Sequence, residues 1–421
     1  MSEQTLGEGR PRIVIVGAGF AGLTLARALR RAPVSVTLVD RNNYHLFTPL
    51  LYQVASALLS PDDIAQPVRK LIRPLRDCVF RLGVVTGVDL PGRRLLTDRG
   101  ELPYDYLVLA AGSVSNYFGN RSLEEHSLGL KELPEGLALR NQVIERFEQA
   151  RWASCDEERK RLMTFAVVGG GPTGVEFAGA LSELIRLVLR RDFRDLDVSQ
   201  ARVLLLEGSD RVLAVFHPSL SESALHSLRR KRVEVWLGAL VKDVGVSGIE
   251  LTDGRRVAAG SVVWTAGVRG SDVGRLLGAE LDREGRVPVE PTLQLPGHPE
   301  VLVVGDLASL DRLPMLIPVA MQEAKHAAQV IRALMAGRRP EPFRYHDPGM
   351  MATIGRNSGV AQLGRIRLSG FPGWLMWLGV HLVKIVTFRA RLATLLNWAY
   401  DYFFYDRPVR LMVRAAEPQE D

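Results

Sequence analysis

The sequence predicts an α/β protein made of two parallel-sheet folds of one kind, one nested in the other, followed by a C-terminal amphipathic helical region. The pattern of apolar strand, glycine turn, helix and apolar strand ending in an acid occurs over residues 12–40 and again over residues 165–207. The third element shows in composition. Three of the six tryptophans, Trp374, Trp377 and Trp398, fall between residues 371 and 405, among apolar residues at three- and four-residue spacing.

The first copy reads RIVIVGAGFAGLTLARALRRAPVSVTLVD. The all-apolar run Ile13–Val16 suits a strand buried on both faces. Gly17, Gly19 and Gly22 then form G-x-G-x-x-G, a pattern that permits a tight turn, close backbone approach to a pyrophosphate and tight helix packing. The following helix presents its free N–H groups to the phosphates. The strand 34–39 ends at Asp40, placed to accept hydrogen bonds from ribose hydroxyls. Gly17, Gly19, Phe20, Ala21, Gly22, Asp40 and Arg41 are therefore candidate cofactor contacts. A lone glycine turn is common; its strand–turn–helix–strand–acid context makes this one specific.

The second copy, FAVVGGGPTG, supplies Gly169, Gly171, Pro172, Thr173 and Gly174, a helix, and the strand ARVLLLE ending at Glu207. Its gap from loop to acid is longer, with RLVLRRDFRDLDVSQ extending the helix and its loop. A carboxylate at Glu207 favours the 2′-hydroxyl of NADH over the 2′-phosphate of NADPH. Two fingerprints imply two dinucleotides and two Rossmann-like dinucleotide-binding domains.

The buried strand of VLVVGDLAS ends at Gly305 and Asp306. A carboxylate beside a pyrophosphate needs a sugar or ribityl hydroxyl to accept from. FAD carries such a hydroxyl between its phosphates and its ring, which assigns FAD to the first fold; the alternative is an Asp that caps the segment after it. Residues 318–336 read as a helix stopped by Gly337, its positive end suited to a reduced anionic flavin. In LPYDYLVLAAGS and VAAGSVVWTAGV, Ala111, Gly112 and Gly267 lie in small-residue turns that fit either a cofactor approach or a plain tight turn.

The totals narrow the class. The 421 residues carry 54 basic and 47 acidic side chains, a net charge of +7 that suits an acidic cofactor or an anionic surface. No nucleic-acid module is present in the pattern. Cys78 and Cys155 stand alone, without a CxxC pair, so a disulfide framework, a thiol active site and a cysteine metal site lack the material, and reduced, cytosolic thiols are expected. The N-terminus carries acids and no apolar core of a signal peptide. His381 and Lys384 interrupt the longest apolar stretch, which argues against a spanning helix.

Taken together, NNYHLFTPLLYQVASALLSPDDIAQPVR, VVGGGPTGVEFAGAL, VLVVGDLASL, GMMATIGRNSGVAQLG and the aromatic tail resemble the type II, non-proton-pumping NADH:quinone oxidoreductases, flavoproteins with two dinucleotide-binding domains. The resemblance spans nearly the whole chain. It implies hydride transfer from NADH to FAD and two electrons passed on to a membrane quinone, ubiquinone or menaquinone. It places Phe47, Thr48 and Pro49 along the isoalloxazine, and makes Glu176 a residue near the nicotinamide that handles protons; an ordinary helix-start acid is the alternative. Gln322 matches one glutamine of the quinone-side helix, while Pro318 stands where a second is typical, and Gln322 alone would equally be a helix-face amide.

The tail completes the expectation. Phe371, Trp374, Leu375, Leu378, Leu382, Ile385 and Val386 mark one helix face, and Leu392, Leu395, Leu396, Ala399, Tyr402 and Phe403 a second, with Arg367, Lys384, Arg389, Arg391, Arg407 and Arg410 among them. An apolar stripe with interfacial aromatics and basic residues suits a helix pair docked on an anionic lipid surface; a hairpin packed on the body or in a homodimer is the alternative. The expected division is residues 1–118 (FAD, first part), 119–290 (NADH), 291–345 (FAD, second part) and 346–421 (membrane docking or dimerisation). The expected location is peripheral, at the cytoplasmic face of the cell membrane. A soluble NADH oxidase or flavin reductase shares both folds but needs no apolar tail. A flavin- and NADH-binding sensor is the remaining alternative.

Overall fold

The computed structural model describes residues 9–404, 407 and 409–412. Residues 1–8, on which part of the expectation about the N-terminus rests, lie outside them. The chain forms two compact units: Met1–Leu46, Gln66–Val114 and Val268–Asp347 make the first, and Phe47–Ala65, Ser115–Gly267 and Pro348–Asp421 the second.

The first unit is built on a six-stranded sheet in the order Gln294–Leu295, His298–Val303, Tyr106–Leu109, Arg12–Val16, Ser35–Asp40 and Cys78–Leu82. All neighbours pair in parallel except the short Gln294–Leu295 strand. Ile13, Ile15, Leu38, Val39 and Leu107–Leu109 are completely buried, which is why these runs are uniformly apolar rather than alternating. The helix Phe20–Leu29 packs on the helix Ile317–Met335, where Ala26 faces a neighbour rich in buried alanines, Ala324, Ala327 and Ala328. Arg12–Val16 is flanked by Ser35–Asp40 on one side and Tyr106–Leu109 on the other, a switch of direction that leaves a crevice at the carboxyl ends of the strands.

The second unit repeats the plan with five parallel strands, in the order Leu128–Gly129, Ser261–Trp264, Thr164–Val168, Arg202–Leu206 and Val233–Trp236. The helix Pro172–Glu183 runs on as a π-helix over Leu184–Leu189 and a last turn, Arg190–Asp192. This is the extension that lengthens the segment between loop and acid.

The same unit carries a three-stranded antiparallel sheet, Met350–Thr353, Gly359–Leu363 and Ile366–Ser369, and then the helices Gly370–Lys384 and Phe388–Phe404. The tail departs from the single stripe expected on its first helix. Trp377, four residues before His381, is fully buried, whereas Phe371 and Leu375 are exposed, and the helix ends before the buried Ile385. Gly373 is the reason. It lies against the backbone of Gly359, where a Cβ would come 2.5 Å from the Gly359 oxygen, so the helix turns its Gly373–Trp377 face inward. The outward side is apolar as well: Val383, Phe388, Leu392, Leu395, Leu396, Phe403 and Phe404 are all exposed. Among the described residues, no helix is long and apolar enough to cross a membrane.

Candidate functional site

In the first unit the glycine loop closes on itself. Gly17 has φ +103°, and a Cβ there would lie 2.3 Å from the Ala110 oxygen; at Gly22 a Cβ would lie 1.8 Å from the Gly17 oxygen. No side chain fits either position. At Gly19 a Cβ would meet nothing within 4 Å, so the backbone is open on the side from which a phosphate approaches. Asp40 is tied into this loop: its Oδ2 accepts from the Ala18 amide at 2.6 Å and its Oδ1 from the Asn42 amide at 2.7 Å.

His45, which no sequence motif marked, holds the same loop from the other side. Its Nδ1 lies 3.0 Å from the Ala18 carbonyl oxygen, and burial lowers the imidazole to about 4, so the ring is neutral and donates there. Phe20 meets His45 edge-on at 4.9 Å, Ala21 is buried at the helix start, and Arg41 is exposed just after Asp40.

Ala111 and Gly112 continue the central strand Tyr106–Leu109, Gly112 with φ +67° and its carbonyl accepting from the Ser271 amide at 3.0 Å. At the end of His298–Val303, Gly305 has φ +76°, and Asp306 Oδ2 accepts from Ser113 Oγ at 2.5 Å. Beneath them is Glu323, another residue without a sequence signal, whose Oε2 accepts from the Gly305 amide at 2.5 Å. Burial raises Glu323 to about 8, the Gly305 amide opposing and Asp306 adding to the rise. Gln322 is half-buried and has both ends of its amide engaged with the His346 backbone, at 2.8 and 3.0 Å. Pro318 falls in the first turn of its helix, where the missing N–H costs nothing.

The second unit rebuilds the loop. A Cβ on Gly174 would lie 1.9 Å from the Gly169 oxygen, and Gly171 is open as Gly19 is. Glu207 Oε2 accepts from the Gly170 amide at 2.5 Å, the counterpart of Asp40 on Ala18, and its Oε1 accepts from the amide and hydroxyl of Ser209, each at 2.7 Å. Pro172 and Thr173 are exposed in the first helical turn, and Gly267 has φ +125° beside Phe118.

Glu176, one turn into that helix, is buried. Its Oε1 accepts from the Thr353 amide at 3.2 Å and from Trp377 Nε1 at 3.1 Å, and burial outweighs both bonds to raise it to about 8. Trp377 stacks on His381 at 4.1 Å and meets Tyr52 edge-on. The His381 Nδ1–H donates to the Trp377 carbonyl at 2.8 Å, and burial lowers the ring to about 4, so it is neutral. Gln53 donates to Tyr52 Oη at 2.8 Å and accepts from Trp398 Nε1 at 2.7 Å. Phe47 is buried with its ring edge-on to His381 at 6.4 Å; Thr48 and Pro49 open the short helix after it. The structure thus groups Glu176 and Phe47–Pro49 with the tail in the second unit, and Gln322 with the first. Cys78 is half-buried, its thiol pushed up to about 12 by desolvation, and Cys155 is exposed.

FAD is a fit for the first unit on these observations: a loop open at Gly19, and carboxylates at Asp40 and Asp306 for sugar hydroxyls. Residues 11–324 match the family model of pyridine nucleotide-disulphide oxidoreductases. The chain is 43% identical over 408 residues to the type II NADH:quinone oxidoreductase Ndh of Mycobacterium tuberculosis, covering 93% of this chain and 88% of the relative. It is 41% identical to NdhA of the same organism, over 94% and 87%. Its fold is similar to that of NDH2 from Plasmodium falciparum, solved with NADH, with a TM-score of 0.87 at 18% identity, over 96% of this chain and all of that one. It is also similar to the sulfide:quinone oxidoreductase of Aquifex aeolicus, with a TM-score of 0.72 at 16% identity over 96% of each chain.

Proposed function

We propose that this chain, which belongs to the type II NADH:quinone oxidoreductases of the pyridine nucleotide-disulphide oxidoreductase family, divides its work between its two nucleotide folds. It is an FAD-dependent enzyme that oxidises NADH and reduces a quinone without pumping protons. The first unit holds FAD and the second NADH. The observation that carries this reading is the doubled loop–carboxylate arrangement, Asp40 on the Ala18 amide and Glu207 on the Gly170 amide.

FAD, when bound, supplies the two-electron chemistry that links NADH to the quinone. The protein binds, orients and manages protons. Gly19 and the helix behind it receive the FAD pyrophosphate, Asp40 the ribose, and Asp306 a ribityl hydroxyl, while Gly171 and Glu207 do the same for NADH. Ala111, Gly112 and Gly267 let backbone approach the cofactors closely. Reducing a quinone consumes two protons as well as two electrons. Glu176, protonated up to about pH 8, is placed to supply one of them beneath Trp377.

The exposed apolar side of the tail helices docks on an anionic lipid surface, which gives a lipid-dissolved quinone its route to the enzyme. We place the protein peripherally on the cytoplasmic face of the membrane. A homodimer that covers part of the same surface is compatible with this. The oxidase alternative leaves that surface without a role.

Cofactor titration of single variants tests the assignment of the two folds. Asp40→Ala loses FAD and keeps NADH affinity, whereas Glu207→Ala keeps FAD and weakens NADH. Loss of FAD from Glu207→Ala alone would reverse the assignment.

A further inference from the structure

The second unit has an arginine-lined cavity at the end of its sheet remote from the glycine loop. It has a volume of about 510 Å³ and is bounded by Arg186, Arg202, Arg229, Arg232, Glu234 and Trp236. Arg202 and Val233 begin two of the five sheet strands, while Glu207 and the glycine loop stand at the other end. One strand length, roughly 16 Å at about 3.3 Å per residue, separates the cavity from the dinucleotide loop.

Charge in the cavity is unbalanced. Arg202 is satisfied by Glu234 through two parallel hydrogen bonds of 2.9 and 2.8 Å. Glu234 is the single carboxylate of the lining and is taken up by Arg202, so among the described residues the lining offers Arg186, Arg229 and Arg232 no carboxylate. Among the described residues Arg186 reaches only the Ala201 carbonyl, at 3.4 Å, and its buried Nε has no partner. Its pKa is lowered by burial and by the charge of Arg232. Arg232 is the left-handed residue, at φ +58°, that ends the helix Pro218–Arg230 just past its cap Lys231. Arg186 rides on the π-helical stretch Leu184–Leu189, a form that recurs at functional sites. The favourable field at a helix C-terminus accounts for Arg229 and Arg232, at the end of Pro218–Arg230 and just past its cap Lys231, but not for Arg186.

We propose that this cavity is a second anion site, which binds a phosphate group through Arg186, Arg229 and Arg232. Guanidiniums match phosphate oxygens in pairs, and an oxyanion there offsets the repulsion between Arg186 and Arg232. The same phosphate chemistry is available from a soluble phosphate compound or from a phospholipid headgroup.

Both sources are tested on the FAD-loaded, full-length protein at physiological salt. In the first arm, saturating NAD fills the dinucleotide site and inorganic pyrophosphate is titrated by calorimetry. In the second, flotation measures binding to phosphatidylglycerol vesicles. The comparison variant is R229Q/R232Q, two exposed positions whose change leaves the sheet intact. R121Q, at an arginine whose side chain is 88% exposed, serves as the surface-charge control. The expected result is a saturable interaction in at least one arm, weakened tenfold or more in R229Q/R232Q and unchanged in R121Q. A response to pyrophosphate assigns the site to a soluble ligand, and a response to vesicles alone assigns it to lipid. No saturable binding in either arm, or equal losses in R121Q and R229Q/R232Q, would overturn the proposal.

Discussion

Trp377 donates its indole N–H to the buried carboxyl of Glu176 at 3.1 Å, across 201 residues of sequence. One end of this bond is on the helix of the second glycine loop and the other on the first tail helix. The bond favours the charged form of Glu176, and burial overrides it. Replacing Trp377 by Phe keeps a ring and removes the donor, so the apparent pKa of Glu176 rises. The alkaline limb of kcat against pH, set near 8 in the wild type, moves upward in Trp377→Phe and disappears in Glu176→Gln. A limb that stays in Glu176→Gln belongs to another group.

Glu176 also links stability to pH. Its folded pKa, about 8, is above the ordinary carboxylate value of 4.5, so the folded state holds more protons than the unfolded state between those limits. Stability is therefore fully present below about pH 4.5 and falls as pH rises to about 8. Glu323, also raised to about 8, acts in the same direction. At about 1.4 kcal/mol per pKa unit the Glu176 share is on the order of 5 kcal/mol. Denaturant unfolding between pH 5 and 9 shows a shallower decline for Glu176→Gln than for the wild type. Parallel curves would contradict the burial argument.

Glu207 holds the Gly170 amide, and we propose that it also receives a ribose hydroxyl of NADH. Changing it to Gln removes the charge that repels a 2′-phosphate. The NADH/NADPH ratio of kcat/KM falls about tenfold, which corresponds to about 1.4 kcal/mol. An unmoved ratio in steady-state kinetics would show that Glu207 does not set the preference.

Gly22→Ala places a methyl 1.8 Å from the Gly17 carbonyl oxygen, a collision with backbone that no rotamer relieves. The purified variant carries little FAD, read as the ratio of flavin to protein absorbance, while the second loop still binds NADH. Full FAD content would show that the loop yields more easily than its geometry indicates.

Arg407 is fully buried, donates to the Ser56 and Ala180 carbonyls at 2.8 and 3.0 Å, and faces Glu183 at 3.5 Å and Asp401 at 3.6 Å. Arg356 and Lys231 take the other sides of that pair. Arg407→Ala removes the donor to the Ser56 and Ala180 carbonyls and leaves Glu183 and the buried Asp401 short of charge, a loss of about 3–5 kcal/mol. Calorimetry shows it as a drop in Tm, with the NADH affinity of the folded protein preserved. An unchanged Tm would mean that the network does not anchor the tail.

What the sequence displays and what it hides differ in range. Asp40 and its loop lie 22 residues apart within one strand–helix–strand unit, so local pattern reveals them. Glu207 was harder to assign because 37 residues separate it from Gly170, and the π-helical extension fills the difference. His45, Glu323 and the Trp377 side of the Glu176 bond carry no periodicity or motif. Trp377 and Glu176 meet only when segments 201 residues apart fold together, whereas His45 and Glu323 sit near their partners in sequence but outside any repeated pattern. The tail was readable as helical and apolar, but which face turns inward depended on Gly373 meeting Gly359, a backbone contact that spacing cannot show.

Steady-state NADH oxidation by the FAD-loaded protein under air, with and without a short-chain ubiquinone or menaquinone analogue, tests the central claim most directly. The account predicts turnover that exceeds the oxygen background manyfold and depends on the quinone. Oxidation at the same rate without quinone would contradict it.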